Sequence, residues 1–318
     1  MRVILARPRG FCAGVVRAVR IVDSALKRCS GPIHVLHEIV HNHRVVAQLR
    51  SRGAIFVNTL ADVPAGGTVI FSAHGVAPEI LRHAQAKGLT VIDATCPLVN
   101  KVHHEVALHA RAGREVILIG HPGHPEVIGT VGHYDERTGV AIHVVDSARA
   151  ARALRVRQPG RLAYVTQTTL SVDDTAEIVG ILRARFPEVS GPRIEDICYA
   201  TQNRQGAVKA LARRVQVILV VGARNSSNSN RLREVAEKAG VRAHLLQETA
   251  ELRLAWLRGC RAVGITAGAS TPEVLVCELL EVLRNDLGAG PIEELDAEPE
   301  AMTFCLPEPF AEVRRAEA

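Results

Sequence analysis

Eleven short apolar runs, most of them rich in Val and Ile, recur along the chain with polar stretches between them. They are "RVILA" (2–6), "IHVLH" (33–37), "AIFVN" (54–58), "TVIFSA" (68–73), "LTVIDA" (89–94) and "EVILIG" (115–120). Further on come "AIHVV" (141–145), "LAYVTQ" (162–167), "VQVILVVG" (215–222), "AHLLQ" (243–247) and "AVGITAG" (262–268). Such runs read as strands covered on both faces, where β-branched side chains pack well. Between them the period lengthens. Val15, Val19, Val22 and Leu26 recur at helical spacing and give one apolar face to lay on a sheet. Strand, helix and strand in alternation predict an α/β protein built from mostly parallel sheets.

The same pattern contains a repeat. "GFCAGVVRAV", "ATCPLVNKVHHEV" and "DICYATQNRQGAV" each place one cysteine (Cys12, Cys96, Cys198) where an apolar segment ends and a helical pattern begins. A strand and a polar loop follow each at nearly equal intervals, bringing up His41, His124 and Asn228; a second strand and loop bring His74, Thr168 and Ser270. Three degenerate units are therefore expected, over 1–95, 96–197 and 198–285. A Pro/Gly-punctuated acidic tail over 286–318 follows, with "RRAEA" at its end frayed. Functional loops of parallel units leave the carboxyl ends of strands. Around a pseudo-threefold axis, three thiols and six polar loops could thus face one central cavity.

Composition narrows the field. The chain has 318 residues, 47% apolar and 23% charged, ordinary for a soluble globular protein. No apolar stretch approaches the roughly 20 residues that span a bilayer, and no export signal opens the chain, so a cytoplasmic, non-membrane protein is expected. Seven scattered cysteines argue against a disulfide framework. The net charge of +6 favours an anionic substrate or an acidic partner. With aromatics at 3% and no basic stripe, nucleic acid is not expected.

A thiol at a helix N-terminus is favoured as thiolate. Three of them suit a metal with one open position, either zinc with a bound water or an iron–sulfur cluster with one iron not held by cysteine. Each could also be a small buried hydrophobe, the role expected of Cys29, Cys260, Cys277 and Cys305. The loops add chemistry. "HEIVHNHRVV" carries His37, His41 and His43, "FSAHGVAP" carries His74, and "GHPGHPEVIGT" carries His121, His124 and Glu126. Glu126 fits either a general acid with a raised pKa or a helix cap. The Ser/Asn run at 225–230 exceeds what one cap needs, and with "VTQTTLSVDD" and "GASTPE" it offers neutral donors for a phosphate or diphosphate. No P-loop or dinucleotide fingerprint is present.

Taken together, "RGFCAGVVRAV", "HEIVHN", "SAHGV", "DATCPLV", "GHPGHPEV", "TQTTLS", "DICYATQNRQ", "NSSNSNRL" and "TAGASTPE" closely resemble the 4-hydroxy-3-methylbut-2-enyl diphosphate reductase family, also called IspH or LytB, over residues 1–285. The resemblance implies three α/β units around one [4Fe–4S] cluster held by Cys12, Cys96 and Cys198. It implies a substrate diphosphate held by His41, His74, His124, Ser226, Ser227, Asn228 and Ser270. Glu126 would donate a proton, and Thr168 would bond the substrate hydroxyl. The reaction implied is reductive dehydroxylation of an allylic diphosphate, with electrons from reduced ferredoxin or flavodoxin. A zinc-dependent hydrolase of a small phosphorylated substrate is the alternative.

Overall fold

The computed structural model describes residues 1–138, 140–296, 300–308 and 310. All eleven apolar runs are strands, trimmed at their ends, and they form three separate parallel sheets. The first has the order β3-β2-β4-β5, with β2 Ile33–Leu36, β3 Ala54–Val57, β4 Thr68–Phe71 and β5 Thr90–Asp93. The second is β7-β6-β8, with β6 Glu115–Ile119, β7 Ile142–Val145 and β8 Leu162–Thr166. The third is β10-β9-β11-β1-β12, with β1 Arg2–Leu5, β9 Val217–Val221, β10 Arg242–Leu246, β11 Ala262–Ala267 and β12 Ile292–Glu294. The strands β2, β6, β8, β9 and β11 are buried along their whole length, as two-sided cover demands.

The three sheets share one wiring. In each, the chain enters on an inner strand, crosses to an outer neighbour, and returns on the opposite side of the first strand. That switch falls between β2 and β4, between β6 and β8, and between β9 and β11. Loops leaving the carboxyl ends of such a pair turn away from each other and open a crevice suited to a ligand. The six polar loops singled out by their chemistry are the loops at these three switch points.

The strand that leads into each cysteine completes the sheet of the unit before it. β5 pairs with β4 and runs to Cys96, and Ser190 bridges Ala163 of β8 before Cys198. β1 pairs with β11, in register from Arg2 with Ala262 to Leu5 with Ile265. The wiring is thus cyclic, and the first unit has no predecessor except the last. Residues 2–5 therefore sit in the third sheet, not in the 1–95 unit where chain order put them. The tail also contributes to that sheet through β12, which pairs with β1. In "IEE" one apolar residue stands beside two acids, so no apolar run announces that strand. Farther along, Leu306 and Phe310 pack into the first unit's core, while 314–318 lie outside the described residues.

Helices cover the sheets. α1 (Ala13–Arg28) buries Val15 and Val22 together with Ala18, Ile21 and Ala25, leaving Val19 and Leu26 half-buried at the rim. The helices that follow are α2 (His43–Ser51), α3 (Pro78–Ala86), α4 (Pro97–Arg111), α5 (Pro125–Gly132), α6 (Ala148–Ala153), α7 (Val172–Arg185), α8 (Tyr199–Ala212) and α9 (Ser227–Lys238). Among the described residues no helix is long and apolar enough to cross a membrane.

Candidate active site

Cys12, Cys96 and Cys198 are the N-cap residues of α1, α4 and α8. Each donates its backbone N–H to a loop at a switch point: Cys12 to Ala269 O (3.1 Å), Cys96 to Ala73 O (3.0 Å) and Cys198 to Thr168 O (3.0 Å). One hydrogen bond, used three times, therefore aims three helix N-termini at one region. The thiols meet there. A Cβ on Gly14 would lie 2.7 Å from Cys96 Sγ and 3.9 Å from Cys12 Sγ, so only glycine lets α1 approach this closely.

At Cys96 and Cys198 burial works against the expected thiolates. Burial pushes Cys96 up to about 12, and the Cys12 and Cys198 thiols beside it add to the rise. Burial likewise pushes Cys198 up to about 11, against the N–H of Thr201 that reaches its Sγ at 3.4 Å. Desolvation outweighs the partial charge of a helix end here. A metal centre reverses that balance by replacing the proton, and a soft, half-buried, all-thiol donor set fits iron–sulfur. Among the described residues no three His, Cys, Asp or Glu side chains form a ready-made pocket for a single metal ion.

Glu126 lies in the first turn of α5, which His124 caps by accepting the Glu126 N–H on Nδ1 at 3.2 Å. The capping role weighed for Glu126 is thus taken by its neighbour. Glu126 itself is only 2% exposed. Its Oε1 accepts the Thr168 N–H (2.6 Å), and its Oε2 pairs with Thr168 Oγ1 (2.9 Å). Burial pushes this carboxyl up to about 7, against the two bonds from Thr168 and with help from the Asp196 charge. It is therefore poised to hold and release a proton near neutrality.

Three imidazoles from three loops gather beside it. The His41 and His74 rings stack at 4.0 Å, and His124 stands edge-on to both at 5.6 and 5.9 Å. Burial holds His74 well below the usual histidine range and brings His124 down to about 4. Both are neutral before an anion enters. The Nε2 of His41 is buried without a partner, while its Nδ1 meets Glu38 Oε2 at 3.1 Å. The hydrogen bond from His41 lowers the pKa of Glu38, and Asn225 Nδ2 donates to the same oxygen at 2.9 Å.

The third unit closes the circle. Ser226 caps α9, and Ser227 and Asn228 open its first turn. Asn228 accepts the Ala269 N–H on Oδ1 at 2.8 Å, which leaves its Nδ2 buried and unpartnered. Ser270 Oγ donates to His41 O (2.9 Å), and Thr169 Oγ1 donates to Ser227 Oγ (3.0 Å). The circle therefore runs from His41 to His74 and His124, on to Glu126 and Thr168, from the adjoining Thr169 to Ser227 and Asn228, and from Ala269, bonded to Asn228, through Ser270 back to His41. A cavity of about 890 Å³ opens between α2, α3 and α5 and has His41 and His74 in its wall.

Other residues fall outside the ring. His37, at a left-handed φ of 59°, lines that cavity, and His43 pairs with Glu248 at the surface. Cys29 packs in the first core, Cys260 is half-buried, and Cys277 and Cys305 are exposed. Conversely, Glu38 and Gln167 belong to the ring's support without having stood out as candidates. Gln167 accepts the His121 N–H and donates to Thr169. Nothing distinguishes either one within its loop sequence.

The profile of the family described as LytB protein matches residues 3–284. A 4-hydroxy-3-methylbut-2-enyl diphosphate reductase from Xanthomonas axonopodis pv. citri is 56% identical over 308 residues, covering 96% of this chain and 97% of the relative. A reductase of the same name from Azotobacter vinelandii is 56% identical over 307 residues, with the same coverage. Among solved structures, the E-1-hydroxy-2-methyl-but-2-enyl-4-diphosphate reductase of Plasmodium falciparum superposes with a TM-score of 0.92 at 38% identity, covering 98% of this chain and 96% of that one. An (E)-4-hydroxy-3-methyl-but-2-enyl diphosphate reductase, titled the terminal enzyme of the non-mevalonate pathway, gives 0.62 at 36% identity, covering 89% and 99%.

Proposed function

The chain belongs to the LytB protein family, and from that premise we propose that it reduces (E)-4-hydroxy-3-methylbut-2-enyl diphosphate to isopentenyl and dimethylallyl diphosphate, the last step of the non-mevalonate isoprenoid route. The reaction breaks one C–O bond and forms one C–H bond, consuming two electrons and two protons and releasing water. The observation that carries this reading is the buried Glu126–Thr168 pair set against the thiol of Cys198 and beside the gathered rings of His41, His74 and His124. The zinc-hydrolase alternative finds no support among the relatives, which are named reductases.

Cys12, Cys96 and Cys198 would hold one [4Fe–4S] cluster per chain. Bound there, it supplies electrons one at a time and a Lewis-acidic iron free of protein thiolate. The protein's own part follows from the ring. A backbone N–H can only donate, so the Thr168 N–H fixes Oε1 of Glu126 as acceptor and leaves Oε2 to carry the proton. That proton faces Thr168 Oγ1, whose own O–H turns onward to the substrate hydroxyl. Glu126 and Thr168 thus form a two-member relay that delivers a proton to the departing oxygen. The diphosphate would occupy the unpartnered donor Asn228 Nδ2, with His41, His74, His124, Ser226, Ser227 and Ser270 around it. The hydroxyl and amide groups and the neutral His74 and His124 add no permanent counter-charge, and water is excluded as the loops close on the anion. A reduced ferredoxin or flavodoxin, acidic and one-electron, suits the net charge of +6.

Turnover with a reduced one-electron dye under exclusion of air tests the reading. Two isomeric diphosphates should form from one substrate; release of inorganic phosphate in their place overturns it. Asn228→Ala tests the cradle. Losing a hydrogen bond to a charged group raises KM by about 10- to 100-fold and moves kcat far less, read by steady-state kinetics.

A further inference from the structure

Arg204 is the largest fully buried side chain among the described residues. It lies on α8, and every donor is engaged. Nε and Nη2 donate to Gly10 O (3.1 and 2.7 Å), and Nη2 also reaches Phe11 O (3.3 Å). Nη1 donates to Ala200 O (3.0 Å) and to both carboxylate oxygens of Glu300 (3.0 and 3.1 Å). A buried guanidinium is tolerable only when its charge is matched. The match comes from the C-terminal tail.

A second arginine meets the same tail. Arg17 Nε donates to Cys305 O at 2.8 Å, and its Nη1 donates to Thr95 O at 3.0 Å. Apart from Cys305 O in the strap itself, the carbonyls gripped by the two arginines have one thing in common: each stands within two residues of a site thiol. Gly10 and Phe11 precede Cys12, Thr95 precedes Cys96, and Ala200 follows Cys198. The strap formed by residues 300–306 also roofs a cavity of about 220 Å³ beside Cys12, walled by Phe11, Tyr199, Met302 and Phe304. It is then pinned by Leu306 and Phe310 in the first core.

We propose that Arg204 and Arg17 are positioning residues which the C-terminal strap locks against the three cysteine-bearing turns, so that the strap sets the spacing of the thiols and shields Cys12. The proposal deepens the reading above by assigning what fixes the geometry of the same site. Peptide carbonyls held by a planar fork leave those turns little freedom. Without the strap, Arg204 would lose its carboxylate and Arg17 its second anchor, and the turn before Cys12 would open locally.

The test uses the full-length chain carrying Glu300→Ala, Glu300→Gln or Arg17→Ala. The first readout is iodoacetamide alkylation of each cysteine in the cluster-free chain, resolved by mass spectrometry with Cys277 as reference. Cys12 should react about tenfold faster with Cys277 unchanged, as a local opening requires, and at a Tm within a few degrees of the parent. Glu300→Asp should restore the parent rate. In protein isolated without air, the visible absorption should bleach faster on exposure to air in the same variants. Unchanged Cys12 reactivity, or a uniform rise at Cys12 and Cys277 alike, overturns the proposal. Alkylation does not depend on turnover, so this outcome is separate from the fate of the reductase reading.

Discussion

Cys96→Ser should yield a folded, colourless protein with no measurable reductase turnover, a loss of at least about a thousandfold. A serine hydroxyl is nearly isosteric with the thiol, but it is a hard, weakly acidic oxygen where a soft thiolate is needed. The position is unforgiving because Cys96 Sγ packs closely against Gly14, with Cys12 Sγ beside the same glycine. The other cysteines are placed differently: Cys29 caps the far end of α1, Cys260 packs against the third unit's core, and Cys277 and Cys305 are exposed. Folding should survive. In the metal-free chain the thiol is protonated, its pKa pushed up to about 12 by burial, so replacing it removes no ionic contact. Iron and acid-labile sulfide analysis checks the result, with far-UV circular dichroism as the control for fold. Cys277→Ser, on an exposed helix face, should keep both colour and turnover. A Cys96→Ser protein with full iron, sulfide and activity would remove Cys96 from the ligand set.

Much of this arrangement is legible before any coordinates. Strands buried on both faces write themselves as Val/Ile runs, which is why all eleven were visible. The thiols and loop residues stood out because a Cys before a helix, or a His after a strand, has few other reasons to recur three times. What stayed hidden was set by long-range geometry. β12 is invisible because "IEE" gains its place from the edge of β1, not from apolar content. Arg204 stands inside a quoted motif, yet its partners lie at Gly10, Phe11 and Glu300, at opposite ends of the chain. The protonation of the thiols depends on depth, which no local pattern encodes, so the helix-end argument gave the wrong sign for Cys96 and Cys198.

Glu126→Gln separates chemistry from architecture. Glutamine keeps the size and accepts the Thr168 N–H, but it has no transferable proton on the atom facing Thr168 Oγ1. Turnover should fall by about 10²- to 10⁴-fold, the usual contribution of a positioned acid, while colour and iron content match the parent. The pH dependence gives an independent sign. Burial raises this carboxyl to about 7, so the proton donor is present below neutrality and is lost as pH rises past it. In the parent, kcat should therefore decline above about pH 7, and in Glu126→Gln the residual rate should lack that step. Stability runs in the same direction. Between the ordinary glutamate value and 7 the folded chain binds the proton that the unfolded chain has released, so the parent loses stability as pH rises through that window. A rise from 4.5 to about 7 corresponds to about 3 kcal/mol. Glu126→Gln, neutral throughout, escapes that loss, and above pH 7 its Tm should equal or exceed the parent's while its activity is far lower. A variant less stable than the parent at pH 8 and active in proportion to its folded fraction would make Glu126 a structural residue, and the relay through Thr168 would have no source of protons.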